Sequence, residues 1–364
     1  MESLVLNGFF GGVYAGRKVL VTGHTGFKGS WLCLWLTALG ARVAGLALAQ
    51  DTEPSHWPML GLDKVVDLHV DLRDPIAVRQ ALEQVQPEIV FHLAAQSLVR
   101  RSYREPLATF ETNVIGLVNL LDAVRGTASV RALVNATTDK VYLERTTDVG
   151  YREEHPLGGN DPYSTSKACA ELVTECYRKS FFSPESGVRV ATARAGNVIG
   201  GGDWSADRLV PDLVRAASSG QALRIRSPEA VRPWQHVLEP LSAYLLLAQA
   251  LLIGEPVEGA WNFGPAVDAT LPVKTLVAKL RDEWPGLRWE PDPGPHPYEA
   301  AVLRLDCTKA ECELGWRPVW KADTTLRRTA KWYRAYYERG DVRSTEDLRD
   351  YVADASTARL GWAV

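Results

Sequence analysis

From Lys18 to Asn197 short apolar, β-branched runs alternate with longer segments of helical period. That pattern predicts parallel strands joined by crossover helices, an α/β doubly wound sheet. The runs Lys18–Thr22, Arg42–Leu46, Val66–Val70, Ile89–Leu93, Arg131–Asn135 and Arg189–Ala193 read as strands. Between them Ser30–Leu39, closed by Gly40, and Pro75–Val85, Thr109–Val124 and Pro162–Phe182 read as helices. After Asn197 the alternation becomes irregular, and Gly, Pro and Trp concentrate through Pro265. A smaller mixed α/β lobe is expected from this stretch and from helical segments near Pro272–Trp284 and Thr324–Tyr337. No internal repeat interrupts the pattern.

Composition narrows the picture. The 364 residues suggest about two packing units, and 46% apolar content supplies a sizeable core. With 41 Lys+Arg against 44 Asp+Glu the net charge is −3, and no basic stripe points to nucleic acid or an anionic membrane surface. The five cysteines form no Cys-x-x-Cys pair, as expected of reduced thiols in the cytoplasm. No secretory leader is evident, and no apolar run reaches the roughly 18 residues that span a bilayer. Residues 1–16 read as an N-terminal leader outside the fold. No His/Cys/Asp group has metal-binding spacing.

The first candidate for chemistry is Gly23-His24-Thr25-Gly26-Phe27-Lys28-Gly29, which follows the first strand and opens a helix. Glycines there permit a tight turn, close backbone approach and close helix packing, while free N–H groups and the helix dipole face an anion. A bland glycine turn is the alternative. Its place at the head of an alternating chain favours a dinucleotide pyrophosphate.

Tyr163 and Lys167 stand at i and i+4, on one face of a helix that Pro162 opens. An ammonium beside a phenol lowers the phenol's pKa from about 10 and prepares it to take a proton from a substrate hydroxyl. A surface pair at helical spacing is the competing reading, which the glycine turn and six strands upstream make the weaker one. Thr138-Asp139-Lys140 ends the fifth strand, and an oxidoreductase needs neither an acid nor a base beside its redox hydroxyl.

The glycine spacing and the Tyr-x-x-x-Lys pair resemble the extended short-chain dehydrogenase/reductase family over most of the chain from Lys18 onward. The resemblance implies a Rossmann-like domain over 17–196 that carries NAD and the catalytic residues. It leaves 197–364 mainly as a nucleotide-sugar lobe, with some segments returning to the first domain. Asp71-Leu72 resembles the family's adenine-contacting pair, and Leu93-Ala94-Ala95-Gln96 its nicotinamide-side loop. Asp51, slightly displaced from the second strand, is the acid left to bond a ribose hydroxyl. No Arg in that turn offers to neutralise a 2′-phosphate, which favours NAD.

Asp followed by Lys after Thr138 resembles the branch of 4,6-dehydratases that acts on CDP-glucose, whereas 4-epimerases generally have small or apolar residues there. The stretches Gly23–Leu32, Ala193–Trp204 and Arg232–Val237 resemble the same branch. The resemblance implies that Tyr163 takes the 4-hydroxyl proton, with Thr138 and Lys167 holding the geometry. It offers Asp139 as the acid for the departing 6-hydroxyl and Lys140 as the base at carbon 5, or as an ion-pair partner that orients the sugar. Arg232, Arg208 and Asn197 are expected around the diphosphate, with Trp234 as a wall. Trp204 is as well suited to the core, and His236 is expected to be structural. The family pairs as a homodimer through helices matching Thr109–Val124 and Pro162–Phe182, and makes CDP-linked deoxy sugars for surface polysaccharide. Dehydration of another nucleotide glucose, 4-epimerisation and a non-catalytic dinucleotide sensor remain the alternatives.

Overall fold

The computed structural model describes residues 4–145, 149–182, 184–266, 269–294 and 304–364. In chain order the described strands are β1 (Lys18–Thr22), β2 (Arg42–Ala47), β3 (Val66–His69), β4 (Ile89–His92), β5 (Ala132–Ala136), β6 (Arg189–Ala195), β7 (Asn197–Ile199), β8 (Leu223–Ile225), β9 (Val231–His236), β10 (Gly259–Phe263), β11 (Thr270–Pro272) and β12 (Trp289–Pro291). The helices are α1 (Phe27–Ala38), α2 (His56–Met59), α3 (Pro75–Val85), α4 (Val99–Arg104), α5 (Pro106–Phe110), α6 (Gly116–Arg125), α7 (Pro162–Ser180), α8 (Leu209–Ser218), α9 (Leu238–Ile253), α10 (Val273–Glu283), α11 (Thr308–Glu313), α12 (Ala322–Arg339) and α13 (Ser344–Thr357).

Seven strands form one parallel sheet in the order β10-β6-β5-β4-β1-β2-β3. Every residue of β4 and β5 is buried, as a parallel sheet covered on both faces requires. One face packs Leu20, Val90 and Leu133 against α3 and α6. The other places Val19, Phe91 and Val134 in a core with α1, α9, α12 and α13. Local signals fix the helix starts. The Asp74 carboxylate accepts from the N–H groups of Ile76 and Ala77 ahead of Pro75, and the Asp161 carboxylate accepts from Ser164 N–H ahead of Pro162.

The six expected strands are present, and β10 is a seventh that returns from the C-terminal half to the edge beside β6. The smaller structures are a three-stranded sheet, β11-β9-β7, and a β12-β8 pair, with α10 packed on α12. β6 ends at Ala195 and β7 begins at Asn197, so the chain passes from the large sheet to the small one through Gly196.

One expectation fails. Residues 4–16 are not outside the fold: Phe10 stacks on Trp362 at 4.9 Å, the Tyr14 hydroxyl donates to Leu245 C=O at 2.5 Å, and Leu6 is buried. Their apolar positions are spaced too irregularly to show a period, yet each fills a gap between α1, α9 and the C-terminus. By length and composition alone, Pro106–Arg125 is long and apolar enough to cross a membrane. Its polar residues are spaced so that no unbroken apolar run shows the length. In the fold Leu117, Leu120, Leu121 and Val124 are buried against α3 and the sheet.

Candidate active site

A cleft of about 850 Å³ lies where β1, β4, β5 and β6 end, roofed by α8, β8 and β9. The strand order reverses between β1 and β4, and the crevice at such a switch point is where an open parallel sheet binds ligands.

The glycine turn forms one end. Gly23 has φ +75°, and a Cβ on it would meet Ala94 N at 2.7 Å. A Cβ on Gly29 would lie 2.1 Å from Gly23 C=O, so only glycine lets α1 start so close to β1. No side chain caps α1, which leaves its first N–H groups facing the cleft. Such a cradle fits a dinucleotide pyrophosphate.

Thr25, Gly26, Phe27 and Lys28 line the cleft with Asp51, Asp71, Leu72 and Leu93–Gln96. His24 does not: its buried ring bonds Asp67 at 2.8 Å and meets Trp57 edge-on, so its side chain pins the turn to β3. Asp51 is exposed at the cleft edge. Asp71 holds Arg73 bidentately, at 3.0 and 2.6 Å, which keeps its carboxyl below the usual range.

The Leu93–Gln96 loop is fixed by residues the sequence reading missed. Thr22 Oγ1 accepts from the N–H groups of Leu93 and Ala94, both at 3.2 Å. Asn113, in a π-helical turn between α5 and α6, accepts from Gln96 N–H at 2.8 Å and donates to Gln96 C=O at 3.0 Å and Ser166 Oγ at 2.8 Å. Asn113 therefore ties the loop to α7; its place in an otherwise regular apolar helix gave no sequence signal.

Tyr163 and Lys167 both face the cleft from α7, as the i, i+4 spacing predicts. Lys167 Nζ donates to Ala136 C=O at 3.1 Å, and burial, opposed by Glu171, lowers its pKa to about 8. The Tyr163 phenol is not depressed. Burial pushes it up to about 12, although a hydrogen bond with Thr138 and the Arg208 charge pull the other way. One turn beyond Lys167, the Glu171 carboxylate bonds Arg194 at 2.9 Å, both side chains 4% exposed, and accepts from Thr137 and Thr192 hydroxyls. This buried pair clamps α7 to β5 and β6, and its i+4 spacing from Lys167 was a usable sequence signal.

Thr138 opens the short turn Asp139–Val141, and its hydroxyl donates to Asp139 Oδ1 at 3.0 Å. Asp139 is 2% exposed and lines the cleft, yet its Oδ2 has no partner. That oxygen lies 3.1 Å from where a Gly196 Cβ would stand, so the bare backbone at the crossing between the two sheets makes room for the carboxyl. Lys140 is half-buried in the cleft wall.

Asn197, Arg208, Arg232 and Trp234 all line the cleft. Arg208 bonds Asp203 at 2.9 Å and Ser97 Oγ at 3.0 Å, which places it across the cleft from Tyr163, whose ionisation it favours. Trp234 donates to Leu271 C=O at 3.2 Å. Trp204 belongs to the core with Trp332, Tyr333 and Tyr336, and His236 is buried between Trp31 and Trp320. Among the described residues no group of acids, His and Cys could hold a metal.

Comparison with known proteins gives the family. The family described as GDP-mannose 4,6 dehydratase matches residues 20–264. The CDP-glucose 4,6-dehydratase of Salmonella typhimurium is 47% identical over 349 residues, covering 93% of this chain and 97% of that one. Among solved structures, the dTDP-glucose 4,6-dehydratase of Streptomyces venezuelae with NAD bound is 28% identical, with a TM-score of 0.74 over 87% of this chain and 96% of that one. The UDP-glucose 4-epimerase of Thermus thermophilus in complex with NAD is 28% identical, with a TM-score of 0.76 over 87% of this chain and 98% of that one. A parallel sheet ending in this cleft, joined to those likenesses, places the chain in the GDP-mannose 4,6-dehydratase family of extended short-chain dehydrogenases/reductases.

Proposed function

We propose that the chain converts CDP-glucose to CDP-4-dehydro-6-deoxyglucose with NAD as a retained cofactor. The observation that carries this reading is Asp139: a buried carboxyl with one oxygen unpartnered, beside the Thr138–Tyr163 hydroxyl pair. Reversible oxidation at one carbon has no use for it, whereas removal of a neighbouring hydroxyl does. The 47% identity to the Salmonella enzyme supports CDP-glucose among the nucleotide glucoses.

Gly23–Gly29 would cradle NAD, with Asp71, Leu72 and Leu93–Gln96 along its length and Asp51 at the ribose; when bound it would supply the hydride acceptor for carbon 4 and the donor for carbon 6. Thr138 and Tyr163 grip the sugar's 4-hydroxyl, and Tyr163 takes its proton. A phenol held near 12 is a strong base once ionised, and the Thr138 hydrogen bond and the Arg208 charge lower the cost of ionising it. The resulting 4-ketone acidifies the proton on carbon 5, which Lys140 accepts and gives back to carbon 5 once a hydride has reached carbon 6. Asp139, in its shielded niche, is the acid that gives a proton to the leaving 6-hydroxyl. Arg232, Arg208 and Asn197 hold the diphosphate, with Trp234 beside it. On this reading residues 17–196 carry cofactor and chemistry and 197–364 mainly the nucleotide sugar. All five cysteines are free, which supports a reducing cytoplasmic setting.

Incubation with CDP-, dTDP-, UDP- and GDP-glucose, followed by mass spectrometry of the nucleotide sugar, tests the proposal. Loss of one water from CDP-glucose is expected. Water loss from a different nucleotide alone overturns the substrate and spares the chemistry; isomerisation without water loss returns the chain to the epimerases.

The same reading includes a homodimer. The Pro106–Arg125 helix exposes Leu107 (72%) and Ile115 (51%), and the adjacent α7 exposes Leu172 (59%). Ile115→Lys with Leu172→Lys is expected to convert the dimer to monomer in sedimentation velocity, because buried charge replaces apolar contact. An unchanged sedimentation coefficient removes these helices as the interface.

A further inference from the structure

Lys28 is a side chain in this site that the proposed chemistry leaves without work. Its residue belongs to the glycine turn, where a backbone N–H suffices for a pyrophosphate, yet its ammonium extends into the catalytic end of the cleft. There Nζ lies 3.5 Å from the hydroxyl of the fully buried Tyr244, on α9, and 5.9 Å from that ring's centre. It is repelled by Arg208 and Lys167 and attracted by Asp139, and Tyr244 in turn senses the charge of Tyr163.

The neighbouring cations are compensated and Lys28 is not. Lys167 has Glu171 behind it, and Arg208 is paired with Asp203 at 2.9 Å. Among the described residues no carboxylate lies within ion-pair distance of Lys28. Burial, then Arg208 and Lys167, push its pKa down to about 7 against the pull of Asp139, so a positive charge at this spot is already held at a cost.

Resting on the function proposed above, we infer that Lys28 is an electrostatic tuner of the bound cofactor, shifting its equilibrium toward the reduced form. The proton leaves oxygen 4 to Tyr163 while the hydride leaves the adjoining carbon 4, so the accepting ring must stand beside Tyr163 and within the field of the Lys28 ammonium. Oxidised nicotinamide is a cation; taking up a hydride, two electrons and one proton, makes it neutral. A fixed positive charge nearby therefore opposes the oxidised form and favours the reduced one. An ordinary dehydrogenase releases its product at that point. A dehydratase must hold the hydride on the cofactor while water is lost from carbons 5 and 6, and Lys28 deepens that resting place.

The test uses purified holoenzyme of the parent, Lys28→Met, Lys28→Gln and Lys28→Arg. Each is equilibrated anaerobically with a reference redox couple on the acid side of the Lys28 titration, and the reduced fraction is read from cofactor absorbance and fluorescence. The reduced-to-oxidised ratio is expected to fall at least tenfold in the Met and Gln variants, about 30 mV for a two-electron couple, and to stay near the parent value in the Arg variant. Ratios unmoved in Met and Gln, an Arg variant that falls with them, or loss of cofactor from both neutral variants would each overturn the inference. Product formation from CDP-glucose by the parent is measured on the same preparations. A parent that makes no 4-keto-6-deoxy sugar sinks the proposed function, whereas a productive parent with unmoved ratios removes only the role of Lys28.

Discussion

Asp139→Asn is expected to leave oxidation at carbon 4 running and to stop the loss of water. Asparagine keeps the size of the side chain and, with its carbonyl oxygen, can still accept the Thr138 hydroxyl bond now made by Asp139 Oδ1 at 3.0 Å. It cannot release a proton. The Asp139 Oδ2 atom has no partner inside the protein, so its replacement by an amide breaks no internal bond. A buried carboxyl with a free oxygen is a costly feature to retain unless a ligand completes it. Loss of a positioned general acid costs about 10²- to 10⁴-fold. In a single turnover with CDP-glucose, absorbance of the reduced cofactor should therefore build up and persist while 6-deoxy product forms slower by that factor. Turnover at the parent rate would remove Asp139 as the acid.

The sequence shows the half of the site that is local and conceals the half that is assembled. β1, its glycine turn and α1 are contiguous, so their spacing can be read directly. Tyr163 and Lys167 share a helix face whatever surrounds it. The Asp139 niche is of another kind: it is formed by Gly196, where the chain changes sheets, and by Pro233 on β9. No period along the chain records that meeting. The same holds for α9, which is apolar on all sides because it is buried on all sides, and whose Tyr244 meets Lys28 from 216 residues away. A helix without a polar face lacks the amphipathic signal on which the reading of Pro75–Val85 depends.

Pairwise charge reasoning also fails where burial outweighs it. An ammonium one turn from a phenol predicts a depressed phenol, but the Lys167 ammonium is turned to Ala136 C=O and Tyr163 is enclosed. Desolvation then dominates, so on the proposed reading Tyr163 must give up its own proton before it can take one from the substrate hydroxyl. Proton and hydride loss at carbon 4 are still coupled, because its oxygen forms the carbonyl only when both have left.

Tyr163→Phe separates that coupled step from everything after it. The ring fills the same buried space, and the described structure gives the hydroxyl one specific partner, Thr138, so the fold loses little. The 4-hydroxyl loses its proton acceptor, and carbon 4 cannot release a hydride while its oxygen keeps the proton. Cofactor reduction in a single turnover is expected to slow by about 10³-fold, within the range for removing a positioned acid–base group. No reduced cofactor should accumulate, the reverse of the Asp139→Asn signature. The two variants thus bracket the reaction, one arrested before hydride transfer and the other after it. In the double variant the Tyr163→Phe behaviour should prevail, because no ketone forms for Asp139 to act on. Accumulation of reduced cofactor in that double variant would place proton removal from oxygen 4 on some group other than Tyr163.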